Sequence, residues 1–115
     1  MPALITIVEL GSFIRDAAGN LSEQEVEELK GFLAANPNAG IIISGTGGVR
    51  KLRWAASGRG KRGGGRVIYY FRSQVMPLYL FNFFTKAEKS DLTEREKKSL
   101  SKIVEAIVAA HNRKE

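Results

Sequence analysis

Cysteine is absent from the 115 residues. That excludes a disulfide framework, a thiol nucleophile, an iron–sulfur cluster and any cysteine zinc site. It fits a reducing compartment. Histidine occurs once, as His111. A single imidazole excludes paired-histidine acid–base catalysis and the common histidine metal sites, and its place in the sequence reads as a solvated tail. No apolar run approaches the ~18 residues that span a bilayer. Residues 1–10 lack a basic segment and carry Glu9, so a signal peptide is not expected. The length and the 43% hydrophobic content suit one domain, residues 1–115, that buries its own core. A cytoplasmic protein is the expectation.

Acids are also missing where they are most conspicuous. Residues 29–87 hold ten Lys and Arg and no Asp or Glu, whereas residues 1–28 carry a net −5 and residues 88–115 a net +1. The overall +6 therefore hides one strongly cationic stretch. Clustered cations raise the local concentration and the on-rate of nucleic acid, so the stretch points to a polyanion partner. A basic face that only aids solubility is the plainer alternative. A membrane surface would want an amphipathic basic helix, and these residues fall on strand and loop patterns instead. Magnesium-dependent hydrolysis needs carboxylates near the phosphate. The basic stretch has none, so metal-free chemistry and no cofactor are expected.

The patterning predicts an α+β fold. Residues 4–9 are apolar and β-branched, a first strand. Residues 13–18 suit a helical turn that Gly19-Asn20 ends. Ser22 and Glu25 form a capping box, with Leu21 and Val26 as its hydrophobic staple. Val26, Leu29, Phe32 and Leu33 continue at helical spacing, and residues 36–40 stop the helix. Residues 41–43 are a short apolar run, and residues 45–48 a glycine-rich turn. Residues 49–55 alternate, placing Lys51 and Arg53 on one face and Leu52 and Trp54 on the other. Residues 57–66 read as a basic, flexible hairpin loop. Residues 67–71 and 78–84 are strong strands, with a turn at 73–77. Three consecutive strands suggest an antiparallel meander. Thr93 and Glu96 form a second capping box, and Leu100, Ile103, Val104, Ile107 and Val108 make the apolar stripe of a last helix. The expected architecture is a small antiparallel sheet with helices packed on one face.

Neither glycine-rich segment is a nucleotide loop. Gly45-Thr46-Gly47-Gly48 lacks the lysine–hydroxyl pair of a Walker loop and leads into no helix, and residues 58–65 lack dinucleotide spacing. The basic set is more informative: Arg50, Lys51, Arg53, Arg59, Lys61, Arg62, Arg66, Arg72 and Lys86. If residues 49–55 pair with 66–72, Lys51, Arg53 and Arg66 converge. Such a cluster stabilises charge growing on phosphoryl oxygens, and arginine adds bidentate geometry. Tyr69, Tyr70 and Tyr79 are candidates to stack on bases, with burial of most of them as the plainer reading.

The run Gly45-Thr46-Gly47-Gly48-Val49-Arg50-Lys51-Leu52-Arg53, then residues 58–71 with Gly65-Arg66-Val67-Ile68-Tyr69-Tyr70-Phe71, then residues 78–93 with Lys86-Ala87-Glu88-Lys89-Ser90-Asp91-Leu92-Thr93, resembles the RelE/HigB superfamily of bacterial toxins. The likeness spans roughly residues 1–110 and is strongest to the HigB-type branch. It implies a microbial-ribonuclease-like fold. It also implies a type II toxin that enters the ribosomal A site, cuts mRNA through attack of a 2′-hydroxyl on the adjacent phosphate, and is silenced by a cognate helix-turn-helix antitoxin. Carried over by position, Lys51 and Arg53 match the family's basic pair, one of them to activate the 2′-hydroxyl. Arg66 matches the arginine that stabilises the pentavalent phosphate, and Lys86 the basic position after the last strand. Arg50, Arg59, Lys61, Arg62, Tyr70 and Lys89 are the expected RNA- or ribosome-binding residues. Phe84 and Ala87 depart from the tyrosine and asparagine common in relatives, and Thr93 stands near where some members place a later tyrosine. The leaving-group acid is thus left open between Lys86 and Lys89. The departures also keep a rival in view: an inert member of the fold that binds RNA, ribosome or antitoxin without cleavage. A nucleic-acid-binding module unrelated to toxins is the third reading.

Overall fold

Apolar residues at positions 67–70 and 78–84 alternate toward both sides of the sheet, and this decides the layering. The computed structural model describes residues 5–56 and 60–113, with the backbone alone at 56 and 60–63. Its elements run β1 (Ile7–Glu9), α1 (Gly11–Ala18), α2 (Glu23–Ala35), β2 (Ile41–Ile42), β3 (Val49–Ala56), β4 (Gly60–Tyr70), β5 (Leu78–Thr85) and α3 (Glu94–Arg113). The sheet order is β1-β5-β4-β3-β2. Strands β2 to β5 pair antiparallel, as the meander predicts, while β1 joins the far edge parallel to β5. The sheet is therefore mixed rather than wholly antiparallel. A parallel partner needs a crossover, which the long path from β1 to β5 supplies.

The α+β class stands as expected, but the helices do not share one face. Phe13, Ala17, Leu29 and Leu33 of α1 and α2 pack with Val67, Tyr69, Leu78, Leu80 and Phe83. Leu100 and Val104 of α3 pack with Val49, Ile68, Tyr70, Phe81 and Phe84. Successive residues of a strand point to opposite faces, so these two clusters lie on opposite sides. Strands apolar on both faces need cover on both. Of the α3 stripe, Leu100 and Val104 are buried and Ile103 is 40% exposed. His111 lies in the last turn of α3, half-buried, rather than in a solvated tail.

Local signals explain the boundaries. Ser22 accepts from the Glu25 amide while Glu25 accepts from the Ser22 amide, the predicted capping box of α2. Thr93 and Glu96 repeat it before α3. At the β2–β3 turn the buried Thr46 hydroxyl donates to the Ile43 carbonyl and accepts from the Val49 amide. The turn brings Gly48 to φ 115°, a conformation a side chain would strain. β4 begins at Gly60, well before residue 67, because Ala56 pairs with Gly60 and the ladder overrides the poor strand propensity of glycine.

The β5 edge has a cover of its own. β1 pairs only with residues 78–80 of β5. Beyond that, α1 takes over: Ser12 donates its hydroxyl to the Phe81 carbonyl, and Asp16 accepts from the Phe83 amide at 3.1 Å and from the Asn82 side chain. Unpaired strand edges invite foreign strands, and these side chains occupy one.

Candidate functional site

The α3 face of the sheet is only half covered. α3 seals the end carrying Val49, Ile68 and Tyr70. At the other end β3 and β4 carry Lys51, Arg53 and Arg66. Arg53 stands directly opposite Arg66, and Lys51 opposite Ile68, so the three cations share this face. With Ala39, Ile41 and Leu52 they line an open groove of about 470 Å³. Like charges directly opposite on neighbouring strands are destabilising. Arg53 is exposed and makes no hydrogen bond or ion pair among the described residues, and Arg66 donates only to the Gly65 carbonyl at 3.3 Å. Two guanidinium groups thus stand in one groove with no carboxylate partner among the described residues.

One carboxylate meets the rim of this groove from the β5–α3 connection. Lys51 Nζ lies 3.1 Å from Asp91 Oδ1, with the lysine side chain 23% and the aspartate 53% exposed. The Leu92 amide donates to the same oxygen at 2.8 Å. The Leu92 amide first, and Lys51 after it, hold the Asp91 carboxyl below the ordinary aspartate range against the opposing effect of burial. On the β5 side, Lys89 pairs with Glu96 and lies 5.5 Å from the centre of the Phe84 ring, a cation–π distance. Lys89, and then the Thr93 amide, hold Glu96 low. Phe84 is the cross-strand partner of Arg66, so Lys89 flanks Arg66 on the side away from Lys51. Lys86 is exposed just past Thr85, at the Arg66 end of the sheet.

The structure brings Lys51, Arg53 and Arg66 together, with Lys89 beside them. Arg50 and Tyr70 go elsewhere. Arg50 faces the α2 side, where its guanidinium donates to the carbonyls of Gly40 at 2.7 Å and Asn38 at 3.2 Å. It is a strut for the α2–β2 connection rather than a surface cation. Tyr70 is 5% exposed beneath α3, with its hydroxyl pushed up by burial, and offers no face to a base. Tyr69 is fully buried on the other side. Arg59 lies outside the described residues, as do the side chains of Lys61 and Arg62. Sequence reasoning missed Asp91 and Glu96. The local signal at Glu96 is the capping box, in which it already has a complete role, and Asp91 stands outside that box.

The fold and groove define a small α+β protein with two arginines and a lysine gathered in one open groove. A family model for the RelE toxin of RelE/RelB toxin–antitoxin systems matches residues 34–114, more than half of the chain and all of the groove. The chain belongs to the RelE toxin family. No helix among the described residues is long and apolar enough to cross a membrane.

Proposed function

We propose that the chain is a HigB-type toxin: a ribosome-dependent, metal-independent endoribonuclease that cuts mRNA in the ribosomal A site. One observation carries this reading, the juxtaposition of Arg53 and Arg66 with Lys51 at the open end of the sheet. The cost of opposing like charges is offset when an anion sits between them. Arg66, central in the groove, stabilises the charge that grows on the pentavalent phosphate. Arg53 grips a non-bridging oxygen, and Lys51 holds the groove cationic on the β3 flank. Lys86, Lys61, Arg62 and Arg59 extend the footprint toward messenger or ribosomal phosphates. A cognate helix-turn-helix antitoxin neutralises the toxin, which works in the cytoplasm.

The test is expression from a tight promoter in a bacterium, with mRNA 5′ ends mapped by primer extension, with and without a translation block. Cuts that require translation are expected. Arg66→Ala should lower cleavage by about 10²–10³-fold, the usual loss for a group stabilising transition-state charge. Lys51→Ala with Arg53→Ala should relieve growth arrest. Arrest by a stably folded triple variant would refute the site. Phe84 offers no acidic proton where relatives carry a tyrosine, which gives the inert-member reading its one support. Growth arrest without cuts would favour it.

A further inference from the structure

Beside the groove, on Lys51, stands a proton acceptor that the basic strands do not supply. We propose that Asp91 is the general base that takes the 2′-hydroxyl proton; this rests on the endonuclease reading above. Lys51 is poorly placed for that role. Its ammonium donates to Asp91, so it enters the groove as a donor. Arginine is a still weaker acceptor, since it stays protonated in proteins. Asp91 has the complementary property. Both its hydrogen bonds fall on Oδ1, from Leu92 and from Lys51. Oδ2 accepts none among the described residues, and the carboxylate is half exposed beside the groove. The amide that holds Oδ1, that of Leu92, is backbone and does not leave when RNA arrives.

The flanks have the right order for an in-line displacement. Asp91 and Lys51 lie on the β3 side of Arg66, and Lys89 lies on the β5 side over Phe84. With the phosphate on Arg66, the 2′-oxygen faces Asp91. The 2′-hydroxyl proton passes to Oδ2 as the oxygen forms its bond to phosphorus. The bond from phosphorus to the 5′-oxygen breaks on the opposite side, and that oxygen takes a proton from the Lys89 ammonium. The products are a 2′,3′-cyclic phosphate and a 5′-hydroxyl. Water then returns a proton to Lys89 and removes the one on Asp91.

The experiment compares full-length wild type, Asp91→Asn and Asp91→Ala on mRNA-programmed bacterial ribosomes. It measures single-turnover cleavage and, separately, binding to the same ribosomes. Thermal melts and Asp91→Glu control for folding. A general base is worth roughly 10²–10⁴-fold, so both Asp91→Asn and Asp91→Ala should lose that much rate. Their binding should hold or tighten, because a cation is uncovered. Added acetate should restore Asp91→Ala in proportion to its concentration, while chloride at equal ionic strength should not. A wild-type-like rate for Asp91→Asn overturns the assignment and leaves the endonuclease reading intact. So does a loss of rate that parallels a loss of binding and ignores acetate, the signature of a strut for Lys51. A wild type that binds ribosomes without cutting overturns both.

Discussion

Individual side chains divide sharply between the groove and the frame beneath it, although they alternate along the same strands. Lys51, Arg53 and Arg66 point one way; Arg50, Leu52 and Trp54 point the other. This parity was readable from alternation alone. The burial of Tyr70 and the inward turn of Arg50 were not, because they depend on α3 and on the loop at 36–40. Tyr69 illustrates the frame. Its hydroxyl accepts from the Gly40 amide at 2.8 Å and donates to the Pro37 carbonyl at 3.0 Å. Tyr69→Phe leaves a buried amide without a partner and should cost about 1–3 kcal/mol in denaturant unfolding, with cleavage per folded molecule unchanged. Gly65 sets a tighter limit. A Cβ there would lie 2.0 Å from the Phe83 ring. Gly65→Ala should destabilise by at least about 1–3 kcal/mol through overpacking, and should displace the neighbouring Arg66. A reduced melting temperature together with weakened RNA binding would register both effects.

The elements show why some boundaries were predictable and others not. Both capping boxes are local chemistry and formed where expected. The start of β4 and the parallel seating of β1 are products of register with distant strands, which no window of sequence contains. The connection from β5 to α3 belongs to the second kind. It carries Lys89 and Asp91 and leads to Glu96 in the first turn of α3, each paired with a group chosen by the fold. Asp91 and Glu96 both sit below their ordinary values of 3.8 and 4.5. A carboxylate depressed in the fold stabilises it above the unfolded pKa and loses that contribution as pH falls through the folded one. The melting temperature should therefore fall on acidification between about pH 5 and pH 3. Replacing Asp91 by Asn and Glu96 by Gln should flatten that fall, by differential scanning fluorimetry across pH. α1 makes a parallel point. Asp16→Ala frees the Phe83 amide on an uncovered strand edge, so aggregation should rise in light scattering even where melting changes little.

Across the whole molecule, the charge asymmetry of the sequence becomes a sidedness. The acidic stretch 1–28 supplies α1 and the start of α2 on one side, and the basic stretch supplies the groove under the open end of the opposite face. Binding of single-stranded RNA should weaken with salt, because each phosphate contact releases counterions. Arg53→Ala should reduce the slope of log K against log salt by about 0.7, one single-strand contact. Lys98→Ala, on the helix beyond the groove, should leave the slope unchanged. Fluorescence anisotropy over a salt series checks both. The polyanion reading and the cationic residues of the groove came directly from composition and alternation. The carboxylate beside it, Asp91 on Lys51, came only with the closed fold.

The pairing of Ile7 with Leu78, and of Lys51 with Asp91, has a consequence for the protein's own birth. Contacts between distant parts of a chain form late, once both parts are free to meet. While a ribosome is still making the chain, Lys51 and Arg53 emerge first, and Asp91 and α3 remain in the exit tunnel. A nascent molecule therefore has its cations but neither a closed sheet nor a complete groove. The sheet and its cationic face are thus completed only once α3 has left the tunnel.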